Sequence, residues 1–369
     1  MALSDYLVAW RTAQLPDREV IDALVDPAHA GPSPQLAAEL AHWPGGYYWS
    51  DEPGGRHLVL TRPEGRPRRE RWALHVLLFL ATLFTTTFVG AVFAGRIPLD
   101  PNPIALITGT YPVPAGFVGA WASGFRFSLP LLAILLCHEF GHYLTARRYQ
   151  LDVSPPYFIP VPFVPWSIGT MGAFIRLRTI LSDRRQLLDV GIAGPIGGLL
   201  VALPVLWFGL RLSHPATGGE VGLFLTMGAD PNYPLGDSLL TLGLRRLIHG
   251  ATPGIVLDPM GFAGWLGIIV TMYNLLPISQ LDGGHILYAA LPRWHRRIAL
   301  AFWVLIVLLG AVWKGWLLWG FLVLLLSRGR LGHPAVLDAQ RPLPPSRRVL
   351  AWAALVLFVV TFAPVPFRL

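Results

Sequence analysis

His138-Glu139-Phe140-Gly141-His142 places two imidazoles four residues apart with a carboxylate between them. On a helix, that spacing turns both rings to one face, where they can share a single metal ion, and stands the glutamate beside it to take a proton from water. The motif lies inside an apolar run over 124–146, where an ionisable group is costly and therefore a candidate for function. The competing reading is a pair of polar histidines packed in a helical bundle. Catalytic zinc sites take three protein ligands and keep a fourth position for water. After His142 the chain reads Tyr143-Leu144-Thr145-Ala146-Arg147-Arg148, with no further histidine. The remaining deep acid is Asp282, in Asn274-Leu275-Leu276-Pro277-Ile278-Ser279-Gln280-Leu281-Asp282-Gly283-Gly284-His285. Alone, Asp282 reads equally well as the N-cap of a helix beginning at Gly284. Two histidines lacking a third ligand in the same membrane favour the metal, and one Zn2+ per chain is expected. His285 reads as a core polar residue, and His333 as a tail histidine with no metal partner.

The elements that must position these residues are membrane helices. Of 369 residues, 53% are apolar and 14% charged, with a mean hydropathy of +0.52, against about a quarter charged in soluble domains. A single cysteine, Cys137, excludes an intramolecular disulfide. Apolar runs cover 72–94, 124–146, 188–210, 259–276, 298–312, 315–327 and 349–365, and a bilayer core needs roughly 20 apolar residues per helix. The expected fold is an all-α polytopic membrane protein of about seven transmembrane helices. The net charge of +8 comes from 28 Arg and the lone Lys314. Arg62, Arg66, Arg68, Arg69 and Arg71 precede the first run, and Arg147, Arg148, Arg184 and Arg185 separate the second from the third. Arg293, Arg296 and Arg297 follow the fourth, and Arg328, Arg330, Arg341, Arg347 and Arg348 precede the seventh. Alternating spans put all four groups on one side, the pattern of cytoplasmic loops rather than of a nucleic-acid-binding face. The expected location is the cell (cytoplasmic) membrane with a cytoplasmic N-terminus, facing a lipid bilayer and no nucleic acid.

Two segments depart from the helical pattern. Residues 1–71 hold ten of the 21 acidic residues and no spanning run. They read as a small soluble α+β module, with a helix near 33–43 capped by Ser33 and a β-hairpin over 46–60. Its partner is not legible. In 154–178, Pro155, Pro156, Pro160, Pro162 and Pro165 forbid a helix, and the end alternates as a strand does. Apolar non-helical backbone must be covered by protein or line a wet cavity, so 154–178 is expected to be a re-entrant β-hairpin. Residues 211–257 form an extracytoplasmic loop whose 236–249 stretch is amphipathic, and 328–348 form a Pro-rich cytoplasmic segment.

At these residues the chain resembles the site-2 protease family of intramembrane zinc metalloproteases, which carry HExxH on one transmembrane helix and N-x-x-P-x-x-x-L-D-G on a later one. The resemblance extends to Gly169–Gly172, to Ala193-Gly194-Pro195-Ile196-Gly197-Gly198 and to Gly332-His333-Pro334, and covers roughly 72–348. Many members carry a PDZ domain, and the 211–257 loop is too short for one. The chain is similar to the bacterial and plastid branch with a soluble N-terminal segment instead. The resemblance implies zinc on His138, His142 and Asp282, with Glu139 as general base and Asn274 holding the substrate or its developing oxyanion. A substrate helix must unwind to expose its carbonyls, and an edge strand at Gly169, Thr170, Met171 and Gly172 is suited to pairing with it. The alternative for this segment is a structural plug.

The expected activity is a metalloendopeptidase that cuts single-pass regulatory membrane proteins, such as membrane-tethered anti-sigma factors, in regulated intramembrane proteolysis. The alternatives are an inactive scaffold of the same fold and, further off, a metal transporter.

Overall fold

A computed structural model describes residues 3–368 apart from 16–17, 32, 53, 64–69, 98–115, 162–166, 180, 217–225, 229–233 and 335. Arg66, Arg68, Arg69, Pro162 and Pro165 thus lie outside the described residues.

The first 63 residues build an antiparallel sheet from β1 (Leu7–Gln14), β2 (Arg18–Val25), β3 (Tyr47–Glu52) and β4 (Gly55–Pro63), in the order β1-β2-β4-β3, with helix α1 (Pro34–Ala41) on one face. Ser33 caps α1 by accepting from the Leu36 N–H, and Pro34 supplies the pre-set first turn. Alternation along β4 sends Leu58 and Leu60 toward Leu36 and Leu40, and Val59 to the opposite face with Val20, Tyr48 and Tyr149. That second face is covered by the helical body. Asp22 and Glu52 converge on Arg341, at 2.6 and 2.8 Å, and Asp183 stands 3.5 Å from the same guanidinium. The Tyr48 hydroxyl donates to Asp183.

The body is built on α2 (Trp72–Phe93), α4 (Phe125–Arg148) and α5 (Arg184–Leu212), the three helices among the described residues that are long and apolar enough to cross a bilayer. A short α3 (Phe117–Ala122) precedes α4. Asp183 caps α5 through the Gln186 N–H. Four further apolar runs form the helices α7 (Pro259–Asn274), α9 (His295–Leu309), α10 (Gly315–Leu326) and α11 (Pro345–Thr361), with α8 (Asp282–Ala290) between the first two. These four have 12 to 17 residues, about 18–26 Å at 1.5 Å per residue against a hydrocarbon thickness of about 30 Å. α7 is buried along most of its length between α4 and α5.

The proline-rich segment forms strands β5 (Tyr157–Pro160) and β6 (Thr170–Phe174), paired antiparallel with Tyr157 opposite Phe174. β5 lies along α2, where His75 donates from Nδ1 to the Pro156 carbonyl at 3.0 Å and Phe79 meets Phe158 edge-on at 5.1 Å. This leaves β6 as the outer strand, with Met171 75% exposed. Arg178 and Glu70 form an ion pair that ties the end of the hairpin to the start of α2. On the opposite side of the body, β7 (His214–Pro215), β8 (Thr226–Gly228) and β9 (Gly254–Val256) form a small sheet beside the amphipathic α6 (Leu239–His249), which a Ser238–Thr241 capping box starts.

Candidate metal centre

Three elements meet at the HExxH motif. α4 carries His138 and His142 one turn apart on one face; α5 packs against that face; α8 brings Asp282 across from the far end of the sequence. The His138 and His142 Nε2 atoms stand 3.2 Å apart, and Asp282 Oδ2 lies 3.3 Å from each. All three donor atoms fall within 4.8 Å of one another, the one such group among the described residues. The histidines are 4 and 7% exposed.

The donor set is chemically suited to a cation. His142 donates from Nδ1 to the Val190 carbonyl at 2.7 Å, which leaves its Nε2 with a lone pair in the neutral ring. That lone pair, the His138 Nε2 and a carboxylate oxygen face one another at hydrogen-bond range in a buried site. Such a cluster suits a positive charge at its centre. Two imidazoles and one carboxylate, with room for a fourth group, make a zinc-type set. One backbone feature admits this geometry: a Cβ on Gly194 of α5 would stand 2.0 Å from His142 Nε2.

Asp282 reaches the histidines because Pro277 follows the end of α7 and the chain turns under α8. A Cβ on Gly283 would fall 2.0 Å from the Leu275 carbonyl oxygen, so only glycine lets the loop fold this tightly. Helix α8 begins at Asp282 itself, with Leu281 at the N-cap and no side-chain cap. The capping reading of Asp282, with a helix from Gly284, does not describe the structure: its carboxylate is spent on the histidines.

Glu139, 8% exposed, sits beside this group and lines the same cavity as His138. The Asn274 amide nitrogen stands 3.2 Å from His138 Nε2. Glu139, His138, Asn274, Thr170, Met171 and Gly172 line one cavity of about 1440 Å³. Gly169 does not line it; its carbonyl accepts from Thr85 Oγ1 of α2 at 2.7 Å, anchoring the hairpin. His285 lies outside the donor group. His333 donates from Nδ1 to the Pro334 carbonyl, so its Nε2 accepts from His285 Nδ1 at 2.6 Å, with Tyr288 stacked on the ring. The supposed tail histidine is therefore bound to the helix that carries Asp282. Sequence reasoning also misses the Val190 carbonyl, which no residue type announces.

The family model described as Peptidase family M50 matches residues 126–312, just over half of the chain. Against "Probable zinc metalloprotease EGY1, chloroplastic" of Arabidopsis thaliana the chain is 31% identical over 313 residues, covering 80% of this chain and 53% of that protein. It is 33% identical over 231 residues to the Oryza sativa subsp. japonica protein of the same name, covering 60% and 38%. It is 33% identical over 176 residues to "Probable zinc metalloprotease EGY2, chloroplastic" of Oryza sativa subsp. indica, covering 47% and 30%. The chain thus spans about half or less of the length of these relatives. No solved structure matches. The relatives' names correct the expected cell-membrane location and, with it, the cytoplasmic N-terminus: the matched proteins are chloroplastic. Arginine asymmetry separates the two faces of a bilayer and carries no information about which compartment that bilayer encloses.

Proposed function

The chain belongs to peptidase family M50, and from that premise we propose that it is a zinc-dependent endopeptidase acting on membrane-spanning segments, with His138, His142 and Asp282 as ligands. The observation that carries this reading is the convergence of the three donor atoms at 3.2–3.3 Å beside a buried glutamate. Zinc held there would polarise a scissile carbonyl and make water acidic enough to lose a proton near neutral pH.

The chain's own residues supply the rest. Val190 holds His142 in the tautomer that presents Nε2. Glu139 takes the proton of the attacking water and returns it to the leaving amine. Asn274, beside His138 on the cavity wall, donates an amide N–H to the oxygen that gains charge. The outer edge of β6 receives the substrate backbone as an added strand, which keeps an unwound segment extended and its carbonyls open to attack. The shorter helices α7, α9, α10 and α11 complete a bundle of about seven spans. The substrates are single-pass regulatory membrane proteins, cut toward the arginine-rich face, since Arg147 lies five residues beyond His142, roughly 7 Å along α4. The sheet over residues 1–63 serves as a docked soluble module.

Zinc per chain in detergent-purified full-length protein tests the reading. One zinc is expected in the wild type, with loss or marked weakening in Asp282→Asn; Glu139→Gln is expected to keep zinc and lose turnover. A folded wild type that binds no zinc would overturn it.

A further inference from the structure

The cavity that holds Glu139 and His138 extends well beyond them. It runs along α4 past Leu135 and Leu131 and along α7 past Ile269 and Leu266, and ends at the α9–α10 turn. From His138 to Leu131 is seven residues, roughly 10 Å of helix. Its walls are apolar, with Tyr273 stacked on Trp319 at 4.0 Å between ring centres. Among its lining residues only three carry charge: Glu139 at the metal end, and Lys314 and Arg368 at the other.

Residues 364–368 pack against the α9–α10 turn that carries Lys314. Trp316 donates to the Pro364 carbonyl at 2.7 Å, Trp313 packs against Phe367, and the Arg368 N–H bonds to the Pro234 carbonyl at 2.7 Å. One Arg368 nitrogen donates to the Gly228 carbonyl at 3.1 Å. Lys314, the only lysine in the sequence, has no acidic partner among the described residues. A lysine near a membrane surface ordinarily extends its ammonium to the headgroups. Here the residue is exposed and lines the same cavity as the metal end, so its ammonium is open to a segment leaving that cavity.

Resting on the protease reading, we propose that Lys314 and Arg368 are specificity residues that select substrates with an Asp or Glu where their apolar segment leaves the cavity on the side away from the arginine-rich face. The roughly 10 Å of helix from His138 to Leu131, which the cavity follows, corresponds to at least about three extended residues or seven helical ones. The acid is therefore expected at least about three residues from the cut bond.

Full-length Glu139→Gln in detergent, titrated with fluorescent single-span peptides that differ only in Asp, Asn or Lys at one flank, tests this by anisotropy. The Asp peptide is expected to bind about tenfold tighter than the Asn peptide, the scale of a charge-assisted contact, with the difference shrinking as salt rises. Adding Lys314→Gln and Arg368→Gln together erases the preference; Lys314→Arg keeps it; Lys314→Glu moves it toward the Lys peptide. Zinc content verifies that each variant is folded. Equal binding of the three peptides, or a preference that survives loss of both cations, overturns the proposal and leaves the cations to lipid headgroups. Wild-type protein and mass spectrometry then separate the two readings. Cutting at least about three residues from the Asp supports both. Charge preference without any cutting keeps the specificity assignment and removes the protease reading. Equal binding and equal cutting of Asp and Asn peptides do the reverse.

Discussion

At Gly194 the metal centre depends on an absent side chain. A methyl group at this position would stand 2.0 Å from His142 Nε2, which leaves no room for alanine unless the ring moves off its donor position. Gly194→Ala is expected to lower zinc affinity at least tenfold, the range for disturbed ligand orientation, while the protein still accumulates as a folded species; zinc titration against a competing chelator reads it. The motif residues are legible in the sequence because chemistry restricts them: few residue types bind zinc, and HExxH fixes their spacing on a helix. Asp282 is legible only as the last candidate, since 140 positions separate it from His142. Val190 and the His285–His333 contact are not legible, because a backbone carbonyl has no type and a pairing 48 residues apart leaves no local pattern.

Among the elements, the hairpin is tied to α2 by His75, Phe79, Thr85 and the Glu70–Arg178 pair. Met171→Pro removes an N–H from β6 and is expected to abolish cleavage of a single-span test substrate while zinc stays bound; full activity would reduce the hairpin to a plug. Its attachment depends on pH. The Arg178 guanidinium beside Glu70 holds that carboxyl below the usual carboxylate range. A depressed acid contributes its stabilisation fully above its unfolded pKa, near 4.3, and loses it as pH falls through the lower folded value. Protection of the hairpin from proteolysis or hydrogen exchange is therefore expected to fall below about pH 4, and Glu70→Gln to flatten that dependence. Proline content foretells that this stretch is not helical, and its alternation foretells β6. The strands β1 and β2 escape a sequence reading, because Arg18, Glu19 and Asp22 interrupt the apolar pattern of β2. Buried partners across the molecule, such as Thr179 for Arg18 and Arg341 for Asp22, remove the cost that the sequence pattern implies.

Over the whole molecule, Arg341 is the point on which the sheet and the helical body agree. It is 6% exposed and faces Asp22, Glu52 and Asp183. Replacing it with Met keeps the volume, leaves Glu52 without a cation and weakens the partner sets of Asp22 and Asp183, a loss on the order of 3 kcal/mol for breaking a buried ionic cluster. Arg341→Met is expected to release the sheet to protease at temperatures where the wild type resists, while zinc remains bound. The same contact sets an order of events in time. Arg11 bonds to Asp338, 327 residues later, and Arg341 follows three residues on. At about 5–20 residues per second of synthesis, roughly 15–65 s pass between the two ends. During that interval Glu52 stands without its cation, and the sheet can take its final seat only after residues 338–341 are made.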